Sequence, residues 1–441
     1  MTIKGVWWLP EKEEKKIDGT LDIFVNGTAK LELSIPIGEP ISEEPFGSGD
    51  IILSDAYYIF SIILGKDDTG KKITLYNCYG VDIKVSEESI LQNKGMSVKV
   101  TIVFLGEHFK KVDEIKFESI CTIYPYLTEN IPKETTLGYC SETFKICFSK
   151  YDKGTKITIK AEKKISYSYF YAILTRLGRL LSFILCMTIK LIEISGESNN
   201  NEVQIYRKRV DDALTTDDYN VLFSYSEIPS GLGDLLERWM KQYENNKNSL
   251  DLYFRLYLEN SIHLEADFIT LTQAVEAYCS KTVQKDKNID DNTLSKIKEA
   301  IKTPIEKLKI LDNQKILERI NGLLDLLKYN NLKSLLKGML EKKLNFGEVW
   351  KVFFKSSKEK DNFINDICKQ RNEKIHSDKK STHKTKKIIE SIFRLRRLLE
   401  FYFLMDIGFP DDKAKKIIIR KLNADEEMLK KMIEHELFKD P

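Results

Sequence analysis

Apolar residues recur with a period of two along the first part of this chain and with a period near 3.6 along the second. In "GTLDIFVNGTAKLELSIP", Leu21, Ile23 and Val25 alternate with other residues, Asn26-Gly27 supplies a turn, and Leu31, Leu33 and Ile35 resume the alternation. That pattern predicts a β-hairpin. Similar runs in "KITLYNCYGVDIKV", "SVKVTIVFLG" and "TKITIKAEKKI" extend the prediction to a mostly antiparallel sheet or sandwich through about residue 165. An apolar helix follows at 167–187, and "TIKLIEIS", "EVQIYRKRV" and "NVLFSYSEI" return to strand chemistry around a polar "GESNNNE" turn. These elements predict one β-rich α+β region over 1–228, divisible into subdomains of about 1–165 and 166–228.

Beyond "PSGLGD" the period becomes helical. Leu264, Phe268, Leu271, Val275 and Tyr278 fall at i, i+4, i+7, i+11 and i+14, and Ile388, Ile392, Leu395, Leu399 and Tyr402 repeat the spacing. Shorter helical patterns lie at about 293–311, 314–328, 331–343 and 359–372. The fold class expected is therefore α+β, a β-rich N-terminal region followed by an all-α bundle over 229–441.

One position breaks the apolar pattern. Ile364, Cys368, Arg371 and Ile375 occupy i, i+4, i+7 and i+11, so a guanidinium stands where the stripe reserves an apolar residue. Burying it unpaired costs several kcal/mol, so it must find an anionic partner, face an interface or reach outward to water. Asn372 and His376 are i, i+4 neighbours on the same helix, and a second copy across a two-fold axis would bring two Arg/Asn/His sets to one cleft. Taken from periodicity alone, the same residues also fit a solvated helix face.

Charge sharpens the choice. The 441 residues are 42% hydrophobic and 31% charged with a net charge of +3, a soluble globular composition in which whole-molecule charge decides little. Yet the segment 369–397 carries eleven Lys and Arg against Glu373, Asp378 and Glu390, a plausible phosphate-tracking surface. Seven cysteines scattered singly, without C-x-x-C or zinc-finger spacing, read as reduced thiols of a cytosolic protein with no metal site. "MTIKGVWWLPEKEEKK" has no apolar run before its charges, so neither a signal nor an anchor is expected there. The apolar helix at 167–187 holds Arg176 and Arg179 at its centre, which predicts burial in protein and no membrane contact. No G-x-x-x-x-G-K-[ST] loop or G-x-S-x-G elbow occurs, so NTPase and hydrolase readings lack support. Trp7 and Trp8 fit a stacking platform or, more simply, an anchor of the first strand in a core. His108, His263 and His435 join no constellation.

"RNEKIH" fits the Arg-x4–6-His motif of HEPN domains, with Asn directly after the arginine, between an upstream "FITLTQAVEAY" helix that resembles the family and a long amphipathic helix downstream. "GVWWLP" followed by "GTLDIFVNG" resembles the start of ApeA-like proteins, bacterial anti-phage factors that join a β-rich N-terminal region to a C-terminal HEPN domain. The resemblance implies a cytoplasmic, metal-independent and cofactor-free endoribonuclease that works as a homodimer, with a phage-derived trigger for the N-terminal region. Carried over by position, its catalytic residues are Arg371, Asn372 and His376. Glu276 in "QAVEAY" is a candidate carboxylate for Arg371 or a helix-surface glutamate. Lys374, Lys379, Lys380, His383, Lys384, Arg394 and Arg397 are candidates for holding the RNA backbone, although His383 also suits an ordinary loop. A catalytically inert HEPN-like module binding nucleic acid or a partner protein is the alternative.

Overall fold

The computed structural model describes residues 1–46, 52–87, 90–124, 133–151, 154–189, 193–208, 221–258, 264–282, 291–307, 313–325, 331–374 and 382–434. The chain divides into two compact units, Met1–Glu227 with Gly231–Glu237, and Ile228–Ser230 with Arg238–Pro441.

The first unit is built on one continuous antiparallel sheet. Its first strands are β1 (Thr2–Trp8), β2 (Ile17–Ile23), β3 (Ala29–Leu33), β4 (Ser42–Phe46), β5 (Ile52–Asp67), β6 (Lys72–Glu87) and β7 (Ile90–Leu105). They pair in the order β3-β2-β1-β5-β6-β7, and β7 pairs back onto β3 over Met96–Val100, which closes a barrel. Alternation explains the filling: Leu21, Leu31, Ile63, Leu75, Val98 and Val103 point inward and are buried, so closure leaves no apolar edge at this seam. Trp7 and Trp8 are buried as anchors of the first strand. The Trp7 ring requires a glycine beside it, because a Cβ on Gly65 would lie 2.2 Å from Trp7 Cε3.

The expected hairpin forms with Leu21 opposite Leu31. Its turn is wider than the pattern predicts: Ile23 pairs with Ala29, Gly27 takes φ +77°, and the Asn26 side chain accepts the Thr28 N–H at 3.0 Å. Val25, read as a strand residue, is consequently 99% exposed at the tip. Asn26 competes for the local backbone and ends the ladder early.

β7 also pairs with β13 (Asn201–Arg207), and the sheet continues through β12 (Ile194–Ser198), β8 (Lys116–Tyr124), β11 (Gly154–Ser166), β10 (Glu142–Tyr151) and β9 (Glu134–Tyr139). Helix α1 (Tyr167–Leu185) buries Phe170, Ile173, Leu174 and Leu177, and Tyr124 donates its hydroxyl to the Leu174 carbonyl at 2.8 Å. The polar turn contracts to Asn199-Asn200, both with positive φ, so Gly196 and Glu202 lie within strands. "NVLFSYSEI" forms no strand over its described residues; Leu222 and Phe223 are buried, the Leu222 N–H bonds the Ile184 carbonyl at 2.6 Å, and Tyr225–Glu227 is a 3₁₀ turn. Its apolar pair packs at the end of α1, where the Leu222 N–H is satisfied without a ladder. Among the described residues no helix is long and apolar enough to cross a membrane.

The second unit is helical: α2 (Leu232–Asn245, of which Leu232–Glu237 belong to the first unit), α3 (Lys247–Leu258), α4 (Leu264–Thr282), α5 (Asp291–Lys307), α6 (Asn313–Asp325), α7 (Leu332–Glu341), α8 (Trp350–Phe353), α9 (Ser357–Lys374), α10 (Thr382–Asp406) and α11 (Asp411–Glu434). The two predicted stripes form its centre, with Leu271 and Val275 of α4 and Leu395 and Leu399 of α10 all buried.

Candidate active site

Helix α9 starts at Ser357, two residues before the pattern expected from about 359. Ser356 accepts the Glu359 N–H at 3.3 Å as the cap of its first turn, while the Glu359 carboxylate accepts the Lys355 N–H at 3.0 Å, one residue before the cap. Ile364 and Ile367 are buried, and Lys360 donates to Glu341 of α7 at 2.6 Å. Opposite, α4 is tied to α3 by the Ser249 hydroxyl, which donates to the Ala274 carbonyl at 2.8 Å.

These two helices present Arg371 and Glu276 to each other. Arg371 Nη2 lies 3.2 Å from Glu276 Oε1 and 3.3 Å from Oε2, with side-chain exposures of 37% and 27%. The apolar-stripe position thus turns the guanidinium toward α4, and a carboxylate meets it there. At this exposure the pair contributes on the order of 0–1 kcal/mol, little enough to be exchanged for another anion. Among the described residues Glu276 meets Arg371 through Nη2, and Nε and Nη1 make no hydrogen-bond contact with them. Burial pushes the Glu276 carboxyl above its ordinary range, and the neighbouring Arg371 opposes that shift without cancelling it. Burial likewise raises the Cys368 thiol, one turn before Arg371, against the pull of Lys333 and Arg371. Burial thus favours the thiol over the thiolate form of Cys368.

Asn372 is exposed beside Arg371 near the end of α9. His376, Lys379 and Lys380 lie outside the described residues, as do the side chains of Lys374, His383 and Lys384. Among the described residues no group of three His, Cys, Asp or Glu side chains is placed to hold a metal ion.

Comparison with known families addresses both units. The model of ApeA N-terminal domain 1 matches residues 2–146, and that of the Apea-like HEPN domain matches residues 269–413, a span that includes Glu276 and the whole "RNEKIH" segment. This chain belongs to the ApeA-like family. It carries the family's β-rich N-terminal domain and its C-terminal HEPN domain, the architecture of an anti-phage protein. No curated protein and no solved structure matches it at a significant level.

Two cations expected on the ApeA-like chain's basic surface have described positions. Arg394 is half-buried, its guanidinium carbon 5.1 Å from the centre of the Phe354 ring. Arg397 is not at the surface: it is 6% exposed, bonded to both Asp425 oxygens at 2.7 Å and to Glu400 Oε2 at 2.5 Å. Its expected role on a phosphate surface is corrected accordingly, because two buried carboxylates already saturate the fork. Glu400 is fully buried and also accepts from Tyr253 at 2.7 Å and from Arg396 at 3.1 Å. Burial alone would raise the Glu400 carboxyl, but Arg397 and Arg396 outweigh it and hold the group below its ordinary range. Sequence reading passed over this network, since "RLRRLLE" looks like one more basic stretch until α11 supplies Asp425.

Proposed function

We propose that this ApeA-like protein is a metal-independent endoribonuclease of anti-phage defence, working as a homodimer with Arg371, Asn372 and His376 as its catalytic residues. The observation that supports it most is the Arg371–Glu276 pair: a guanidinium on the Arg-x4-His segment, weakly held and engaged through Nη2 alone among the described residues. The Apea-like HEPN match spans that segment.

RNA carries its own nucleophile. In the proposed reaction the 2′-oxygen attacks the adjacent phosphorus, its proton passes to an imidazole, and the bond from phosphorus to the 5′-oxygen breaks. The leaving oxygen takes a proton, so the products are a 2′,3′-cyclic phosphate and a 5′-hydroxyl. His376 serves one proton transfer and the second copy's imidazole serves the other across the two-fold cleft. Arg371 stabilises the charge on the phosphorane-like transition state, and Asn372 orients the imidazole or the phosphate. Glu276 is a positioning residue that holds the guanidinium until phosphate displaces it. The N-terminal unit binds a phage-derived trigger, and transfer RNA is the first substrate to test, because a few anticodon-loop cuts halt translation.

The purified chain should cleave RNA in EDTA and leave ends that need cyclic-phosphate removal before ligation. Cleavage that vanishes in EDTA and returns with magnesium would replace this reading with a metal nuclease. Glu276→Gln should lower kcat by roughly tenfold while KM rises little, since it removes only part of the orientation of Arg371. An unchanged kcat would leave the glutamate a structural residue.

A further inference from the structure

A cavity of about 1080 Å³ opens in the helical unit between α8, α9, α10 and α11. It is larger than most small-molecule sites, which run to about 1,000 Å³. Its apolar lining includes Phe354, Phe363 and Phe393, with Phe354 and Phe363 ring centres 5.1 Å apart. Lys386, Glu390 and Arg394 line it from one face of α10 at i, i+4 and i+8. Among the described residues neither Lys386 nor Arg394 has a carboxylate partner, and Arg394 lies over the Phe354 ring, so neither charge is neutralised by an ion pair.

We propose that this groove binds unpaired nucleotides of a single RNA strand, with bases stacked on Phe393 and on the Arg394 guanidinium and phosphates on Lys386 and Arg394. The proposal rests on the ribonuclease reading above and extends it to a second contact with the same substrate. Three features of the lining favour an unpaired strand over a duplex. The half-buried Phe393 ring and the Arg394 plane offer stacking that paired bases cannot use. Carboxylates alternate with the cations, where a duplex-binding face would be uniformly basic; Glu390 and Asp366 can accept from the amino and imino groups of exposed base edges. Finally, Asp366 precedes Arg371 by five residues on α9, about 7.5 Å along the helix and about 140° around it. That separation is on the order of one to three nucleotides of extended strand, so the groove would hold the flank of the cut site and not the scissile phosphate.

The test uses the full-length Arg371→Ala chain, so that substrate survives, and a fluorescent single-stranded RNA of about 12 nucleotides beside its duplex. Adding Phe393→Ala or Arg394→Ala should each weaken single-strand binding by roughly tenfold, leave duplex binding unchanged, and Phe393→Tyr should restore affinity. Arg394→Ala should also flatten the salt dependence of binding. Unchanged single-strand affinity in both alanine variants, or equal losses for duplex, would overturn the groove. Thermal unfolding identifies a misfolded Phe393→Ala, in which case Arg394→Ala decides. Cleavage by the chain with Arg371 intact is scored separately: an active enzyme whose strand binding ignores the groove defeats only this inference, whereas groove-dependent binding by an inactive chain supports it and defeats the nuclease reading.

Discussion

Arg371→Ala is expected to lower RNA cleavage by about 10²–10³-fold and to abolish the growth arrest that the wild-type chain causes on induction. His376→Ala should act on the same scale, since a general acid or base contributes about 10²–10⁴-fold. Arg371→Lys should stay close to the alanine variant. An ammonium is a point charge that can pair with Glu276 but cannot offer two parallel donors to a phosphate. A fully active lysine variant would remove the arginine from the chemistry. Mixing Arg371→Ala chains with His376→Ala chains tests the two-fold cleft: pooled residues restore part of the activity in heterodimers, whereas independent sites restore none. If both single variants arrest growth as the wild type does, the chain is a binding module whose basic face does the work.

The second large effect concerns stability. Arg397→Ala should cost about 3–5 kcal/mol, because it leaves Glu400, fully buried, and Asp425, nearly so, without the guanidinium that balances them. Urea unfolding followed by helical ellipticity should report the loss, and a variant within about 0.5 kcal/mol of wild type would contradict it. The pH dependence carries a sign that can be worked out. In the folded wild type the Glu400 carboxyl is held below its ordinary value of 4.5, so its contribution to stability is fully present above that pH and is lost as pH falls through the lower folded value. Without Arg397, burial dominates and the carboxyl shifts upward, so the variant gains stability as Glu400 takes up a proton. The difference between variant and wild type should therefore be greatest near neutral pH and should narrow on acidification.

How far the residues themselves disclosed the site can be judged from Arg371 and Arg397. Both sit in a run of lysines and arginines, and both looked like candidates for phosphate. Arg371 betrayed itself by standing on an apolar stripe four places before Ile375, a conflict within one helix. Its partner was legible only as a guess, because Glu276 lies 95 residues earlier on another helix. Arg397 gave no such local sign. Its carboxylate, Asp425, is 28 residues downstream on α11, and only the packing of α10 on α11 turns that basic stretch inward.

The same division runs through the fold. Side-chain periodicity is imposed by the geometry of a single element, two residues for a strand and 3.6 for a helix, so the order of β-rich and helical regions, the hairpin at Asn26-Gly27 and the α4 and α10 stripes follow from sequence alone. Which strand pairs with which does not. The return of β7 onto β3, the packing of Leu222 and Phe223 at the end of α1, and the groove lined by Phe354 and Phe393 depend on contacts between distant segments. Such contacts are selected by the sum of burial, closure and hydrogen-bond satisfaction over a whole unit, a quantity that no single window of residues contains.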